Sequence, residues 1–176
     1  MNDTLVTIIA IFLAAILMFI FPLMSLADRN DDITELTVQT ATTEFIEEIR
    51  KTGKLTSERY DNFITTLAST GNAYEIELEF QILDENPGKK DTIGNSVVIG
   101  ENVYYSVYTT QIEEKLSDNS SKNTYYLKEG DIVSANVKNT STTLAQTLRS
   151  FYYKVTGNDT YIITGSSAGT VTVNGR

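Results

Sequence analysis

An α+β protein carrying one N-terminal membrane helix is what three features of this 176-residue chain predict. An uncharged apolar run extends from Leu5 to Leu26, a helical period of 3.6 continues to Gly71, and from Ala73 the period drops to 2. The expected organisation is a short N-terminal segment (1–4), a transmembrane helix (5–27), a helical stalk or hairpin (28–71) and an extracytoplasmic head (72–176). Strands interspersed with helices predict a mostly antiparallel sheet in that head, with one or more helices packed on it.

The apolar run, LVTIIAIFLAAILMFIFPLMSL, covers about 33 Å as a helix, enough for a hydrocarbon core of about 30 Å. In lipid only a helix pairs every backbone group internally, so the β-branched residues do not oppose helix here. Pro22 removes one backbone hydrogen bond and predicts a kink near the far end. Leu5, Ile9, Ala10, Leu13, Ala14, Leu17, Ile20 and Pro22 are the candidate anchor and assembly residues, and Ala10, Ala14 and Ala15 would allow a second helix to approach closely. A cleaved secretory signal is the competing reading, since Ser25 and Ala27 have the size and spacing of a cleavage site. The lack of Lys or Arg in Met1 to Thr4 and the length of the run favour an anchor. Both readings carry the rest of the chain across the membrane, with a short N-terminus inside and the domain outside.

Composition narrows the function. Fourteen Lys and Arg against 23 Asp and Glu make the chain acidic, which disfavours nucleic acid or anionic lipid as a partner. Without Cys there is no disulfide framework, thiol nucleophile or lipoprotein attachment site, and without His the commonest general base and metal ligand are missing.

Asp28, Asn30 and Asp32 copy the opening of a calcium loop, but Ile33 and Gln39 stand where Gly and Glu are needed, and a charged membrane edge running into a helix explains them better. In that helix Ile33, Leu36, Ala41, Phe45 and Ile49 approximate one stripe, Arg50 and Lys51 suit its C-terminal end, and Gly53 stops it. After a Thr52 to Leu55 link, Thr56 caps a second helix with Tyr60, Phe63, Ile64 and Leu67 on one face and Gly71 at its end. Tyr74, Ile76, Leu78, Phe80 and Ile82 then alternate with Glu75, Glu77, Glu79 and Gln81, a strand with one face on a core and an acidic ladder outside. Residues 84–95 read as a charged loop around Pro87-Gly88, Ser96 to Ile99 as a short strand, and Val103 to Thr110 as β-rich before the helical Gln111 to Leu116. Thr124 to Leu127 and Ile132 to Val137 are expected to form a hairpin across Gly130. Asn139 or Ser141 caps a helix bearing Leu144, Leu148, Phe151 and Tyr152, and two last strands, Thr160 to Thr164 and Thr170 to Val173, flank a turn at Gly165 to Gly169.

No stretch makes an active site, so no catalytic residue, cofactor, metal ligand or small-molecule substrate is expected. Ser120 to Lys122 lies in a polar loop, and Gly165-Ser166-Ser167-Ala168-Gly169 lacks the strand-to-helix setting and the downstream His of a nucleophile elbow. Asp131 is explained by a turn. The candidate partner surface is the acidic ladder of Glu75, Glu77 and Glu79 together with Tyr104, Tyr105, Tyr125 and Tyr126, because tyrosine suits surfaces that are half dry.

The run TATTEFIEEIRKTGKLTSERYDNFITTLASTGNAYEIELEFQ, with Phe45, Gly53, Tyr60, Phe63, Leu67, Gly71 and Tyr74, resembles pilus-assembly proteins of Gram-positive bacteria of the Tad/Flp type. Leu127-Lys128-Glu129-Gly130-Asp131, followed by a strand and an Asn-Thr-Ser cap, is similar too. An apolar N-terminal helix, a helical stalk and a small α+β head also resemble the pilin and pseudopilin plan. The resemblance implies a single-pass cell-membrane protein that associates with itself or with other pilin-like subunits through its N-terminal helix, at the membrane or the cell surface. A prepilin's basic leader, Gly cleavage site and Glu at the fifth mature position have no counterpart beyond Asp3, which points to an accessory component. The alternatives are a membrane-anchored ligand-binding or sensor domain that does not polymerise, and a carboxylate-dependent hydrolase.

Overall fold

The computed structural model describes residues 2–84, 104–118, 123–156 and 162–175, with the helical backbone alone for 151–156. The fold is α+β, as expected. A single helix, α1 (Asn2–Thr52), runs unbroken through Pro22 from the apolar run into the head and is about 77 Å long. The calcium-like Asp28, Asn30 and Asp32 are therefore helical residues and form no loop.

The face α1 buries differs from the expected stripe. Ala27, Asp31, Thr34, Val38, Ala41, Thr42, Phe45, Ile46 and Ile49 are buried, whereas Ile33 and Leu36 are 63% and 68% exposed. Spacings of three and four keep that set on one side of the helix, and it includes polar residues that an apolar pattern passes over. Gly53, at φ +64°, ends α1 with its N–H on the Ile49 carbonyl.

The Thr52 to Leu55 link is not only a connection. It contains a short strand, β1 (Lys54–Thr56), which pairs antiparallel with β4 (Thr124–Tyr126) in a two-stranded sheet. The expected hairpin between β4 and the next strand, β5 (Ile132–Asn139), does not exist, because the two strands belong to different sheets. Helix α2 (Ser57–Ala68) follows β1 with Thr56 as its cap, and it buries Tyr60, Phe63 and Leu67. Ile64 is left 39% exposed. Phe63 stacks on Phe45 of α1 at 4.2 Å between centroids, which fixes α2 against the upper part of α1.

The main sheet has the order β3-β2-β5-β6, all antiparallel. It contains β2 (Tyr74–Leu83), β3 (Tyr104–Tyr108), β5 and β6 (Thr164–Thr170). Leu78 and Phe80 of β2 and Val133, Ala135 and Val137 of β5 are buried, as the period of 2 requires. The passage from strand to helix falls between Tyr108 and Thr109, where α3 (Thr109–Ser117) begins. Thr109 ends the β2–β3 ladder, because its hydroxyl accepts from the Leu78 N–H at 2.7 Å. Ile112 and Leu116 of α3 join the core.

The Gly165 to Gly169 segment is a strand, not a turn. Of the two strands expected around it, only Thr164 and Thr170 are strand residues among the described ones, residues 160 and 161 lying outside them. Its small residues answer to α1, which lies over β6. A Cβ on Gly165 would stand 2.9 Å from Val38 Cγ1, and one on Gly169 would stand 2.5 Å from Arg50 Nε. The α1 side chains also cover the strand's free edge. Gln39 donates to the Ser166 carbonyl at 2.9 Å and accepts from its N–H at 3.0 Å, and Arg50 donates to the Thr170 carbonyl at 2.9 Å.

Helix α4 (Leu144–Thr156) is capped by Thr143 instead of Asn139 or Ser141. Thr143 Oγ1 accepts from the Gln146 N–H, and Gln146 Oε1 accepts from the Thr143 N–H, a reciprocal capping box. Asn139 is a buried β5 residue whose Oδ1 receives the Ser141 N–H and hydroxyl. Leu144 is 57% exposed, and the side chains of Phe151 and Tyr152 lie outside the described residues. So do the Pro87-Gly88 loop, the strand expected at 96–99 and the Ser120 to Lys122 run. One buried cluster takes in Val38 to Ile49 of α1, Tyr60 to Leu67 of α2 and the inner face of the sheet, so segments 28–71 and 72–176 share one core.

Candidate functional site

The anchor residues Leu5, Ile9, Ala10, Leu13, Ala14, Leu17, Ile20 and Pro22 are all exposed, and the helix that carries them is long and apolar enough to cross a membrane. Head packing on α1 begins at the last turn of the apolar run, with Met24 half-buried and Ala27 buried.

Two polar contacts tie α4 to that junction. Arg149 Nη2 lies 2.8 Å from Asp28 Oδ1, and Thr143 Oγ1 donates to Asp31 Oδ2 at 2.8 Å. Asp31 is only 2% exposed, so its carboxylate needs the hydroxyl it accepts from. Neither contact was expected from the sequence. The signal that could have pointed to α4's start is Thr143-x-x-Gln146, a capping-box spacing. Nothing local pairs Thr143 with a residue 112 positions earlier.

The acidic ladder and the tyrosines do not form one surface. Glu75, Glu77 and Glu79 are on the outer face of β2, opposite Lys138, Asn136 and Ser134 of β5. Asn136 Nδ2 donates to Glu77 Oε2 at 3.2 Å and Ser106 Oγ to Glu79 Oε1 at 2.7 Å, so neutral donors and one lysine relieve the like-charge repulsion. Tyr104 shares this outer side, paired with Leu83, and its hydroxyl donates to the Gly130 carbonyl at 3.3 Å. A shallow groove of about 580 Å³ runs between Glu77, Glu79, Tyr108, Ser134 and Asn136.

Tyr105 pairs with Ile82 on the other face, where it borders a cleft of about 310 Å³ with Tyr125, Tyr126, Lys115 and Lys128. Tyr125 is a core residue, 7% exposed, edge-on to Phe80 at 5.3 Å and under Lys115 Nζ at 4.8 Å. Burial, followed by the charges of Tyr105 and Asp131, pushes its phenol up to about 12. Tyr60 is raised further, by burial and by the hydrogen bond it donates to Glu113 Oε1 at 2.7 Å.

A phenol titrating higher in the folded than in the unfolded chain favours folding while it stays protonated. The stability held by Tyr125 should therefore be intact below its unfolded value of 10.0 and fall as pH rises towards about 12. Urea midpoints measured across that interval should decline, and the Tyr125→Phe variant should decline less steeply.

Asp131 is a structural residue. It is 1% exposed, Oδ1 accepts the Leu83 N–H at 3.0 Å and Oδ2 the Lys128 N–H at 2.7 Å. Among the described residues no three acidic side chains converge as a metal-binding group. The site the fold defines is thus a membrane-length apolar helix continuous with the core helix of a small α+β head. No family model, curated protein or solved structure matches the chain.

Proposed function

We propose that this protein is a pilin-like subunit or accessory assembly component of a bacterial surface pilus or secretion apparatus, held in the cell membrane by its N-terminal helix with the head outside. The observation that carries the reading is that the apolar run is exposed at every residue but the half-buried Ile16 and Met24, while the same helix, without a break, supplies one wall of the head's core. A force or contact on the anchor is thereby passed to the head by a rigid element. In lipid the anchor would hold the subunit, and in an assembly it would pack against equivalent helices, with Ala10, Ala14 and Ala15 at the close approaches.

Fractionation of native cells tests this, comparing sheared surface material with the membrane pellet by intact mass. Full-length or trimmed chain in sheared filaments supports a subunit, and chain in the membrane alone supports an assembly factor. A mass starting at Asp28 in the medium would sink the anchor. Ala14→Arg should disfavour insertion by about 3 kcal/mol, shifting the protein out of the membrane fraction while the circular dichroism of the head persists. The second reading, an anchored ligand-binding module, draws on the cleft between Tyr105, Tyr125 and Tyr126. It predicts a monomer in detergent and no chain in filaments.

A further inference from the structure

We propose that α4 is a second membrane contact, lying in the headgroup layer of the bilayer that α1 crosses, so that the head rests on the membrane surface. The inference depends on the anchor reading and adds a lipid-facing element to it.

Position carries the argument. If Leu26 marks the end of the hydrocarbon core, Asp28 stands about 3 Å and Asp31 about 8 Å beyond it along the helix, a span that the headgroup region of one leaflet covers. Those two residues are the ones α4 holds. Thr143, at its start, is fixed to Asp31, and Arg149, nearly two turns on, is fixed to Asp28. Higher numbers on α4 thus meet lower numbers on α1, and the α4 backbone runs towards the bilayer. Residues 150–156 continue the helix past the level of Arg149.

Composition agrees with that placement. LAQTLRSFYYKVT has Arg149 and Lys154 but no acidic residue, in a chain with a net charge of −9. The sequence from 151 to 154 is Phe-Tyr-Tyr-Lys, the aromatic and basic mixture enriched at membrane interfaces. The helix buries Ala145 and Gln146 against the head and leaves Leu144 open. Arg149 is already paired with Asp28, so a bilayer surface is matched by the aromatic sequence of α4 and by its height above the anchor, and not by net charge.

The absence of Cys makes the test direct, because any introduced thiol is unique. Full-length Ser150→Cys, Ala68→Cys and Leu13→Cys variants would be labelled with an environment-sensitive fluorophore and reconstituted into phosphatidylcholine vesicles. Each would then be quenched by a lipid carrying a shallow nitroxide and by aqueous iodide. Ser150 and Ala68 are both exposed on the protein, but α2 packs at Phe45, about 28 Å beyond Leu26. The expected result is lipid quenching at position 150 several-fold above that at position 68, together with protection from iodide.

Equal iodide access at 150 and 68 without lipid quenching at 150, in vesicles where the Leu13→Cys label is quenched by lipid, would overturn the α4 contact and leave the anchor standing. Protection from iodide at 150 without lipid quenching would mean that another protein surface covers α4, which also overturns it. A Leu13→Cys label that lipid does not quench would remove the anchor and this inference with it.

Discussion

Replacing Gly53 by Ala is expected to lower the stability of the protein by about 3 kcal/mol, a drop of about 10 °C in melting temperature for a chain of this size. Two costs combine. The residue has φ +64°, where an L side chain is strained by about 1 kcal/mol, and its Cβ would overlap the Val173 carbonyl oxygen and stand 2.5 Å from the Gly175 nitrogen. Those atoms are backbone and cannot turn aside. The Gly53 carbonyl also accepts the Leu127 N–H at 2.8 Å, so displacing it disturbs the route from α1 into the small sheet.

Gly71 is the matched control. It has φ +80°, and a Cβ added there would meet nothing within 4 Å, so Gly71→Ala should cost only the conformational part, about 1 kcal/mol. Thermal melts of both variants in the same detergent would check the contrast. Equal losses would mean that the clash at Gly53 relaxes freely.

The second large effect is expected at Asp131. Asp131→Ala strands two N–H donors, from Leu83 and Lys128, in a place where the native carboxylate is 1% exposed. A loss of about 3 kcal/mol follows from leaving such donors without acceptors. Asp131→Asn keeps one acceptor oxygen and should lose about half as much. Backbone contacts nearby raise the stake, since Gly130 donates to the Val171 carbonyl at 3.0 Å and Val171 to the Asp131 carbonyl at 2.7 Å. Hydrogen exchange should report the opening locally, with the Leu83, Lys128 and Val171 amides losing protection before those of α2. Uniform loss across the chain would assign Asp131 to global stability alone.

Elements whose pattern is complete within their own residues were legible. Alternation from Tyr74 to Ile82 marked β2, and the i, i+3, i+7 set of Tyr60, Phe63 and Leu67 with Thr56 before it and Gly71 after it marked α2. The apolar run declared a membrane-length helix by length and lack of charge alone. Of the candidate surface, the outward direction of Glu75, Glu77 and Glu79 followed from the period of 2. The placement of Tyr125 in the core did not, because it depends on Phe80, a residue on a different strand.

What the sequence determined by itself was therefore the α+β class, the apolar helix and the elements with strong local periodicity, because side-chain spacing within one helix or strand decides which face avoids water. Tertiary structure alone decided the rest. Gly165 to Gly169 contains the small residues of a turn and becomes a strand because β5 offers it a hydrogen-bonded partner and α1 needs a surface without side chains to lie on. α1 turns Ile33 and Leu36 outward and Asp31 and Thr34 inward, and for Asp31 the acceptor site is filled by Thr143 from α4. In each case the partner that sets the conformation lies far away in sequence, and only the folded chain brings it within reach.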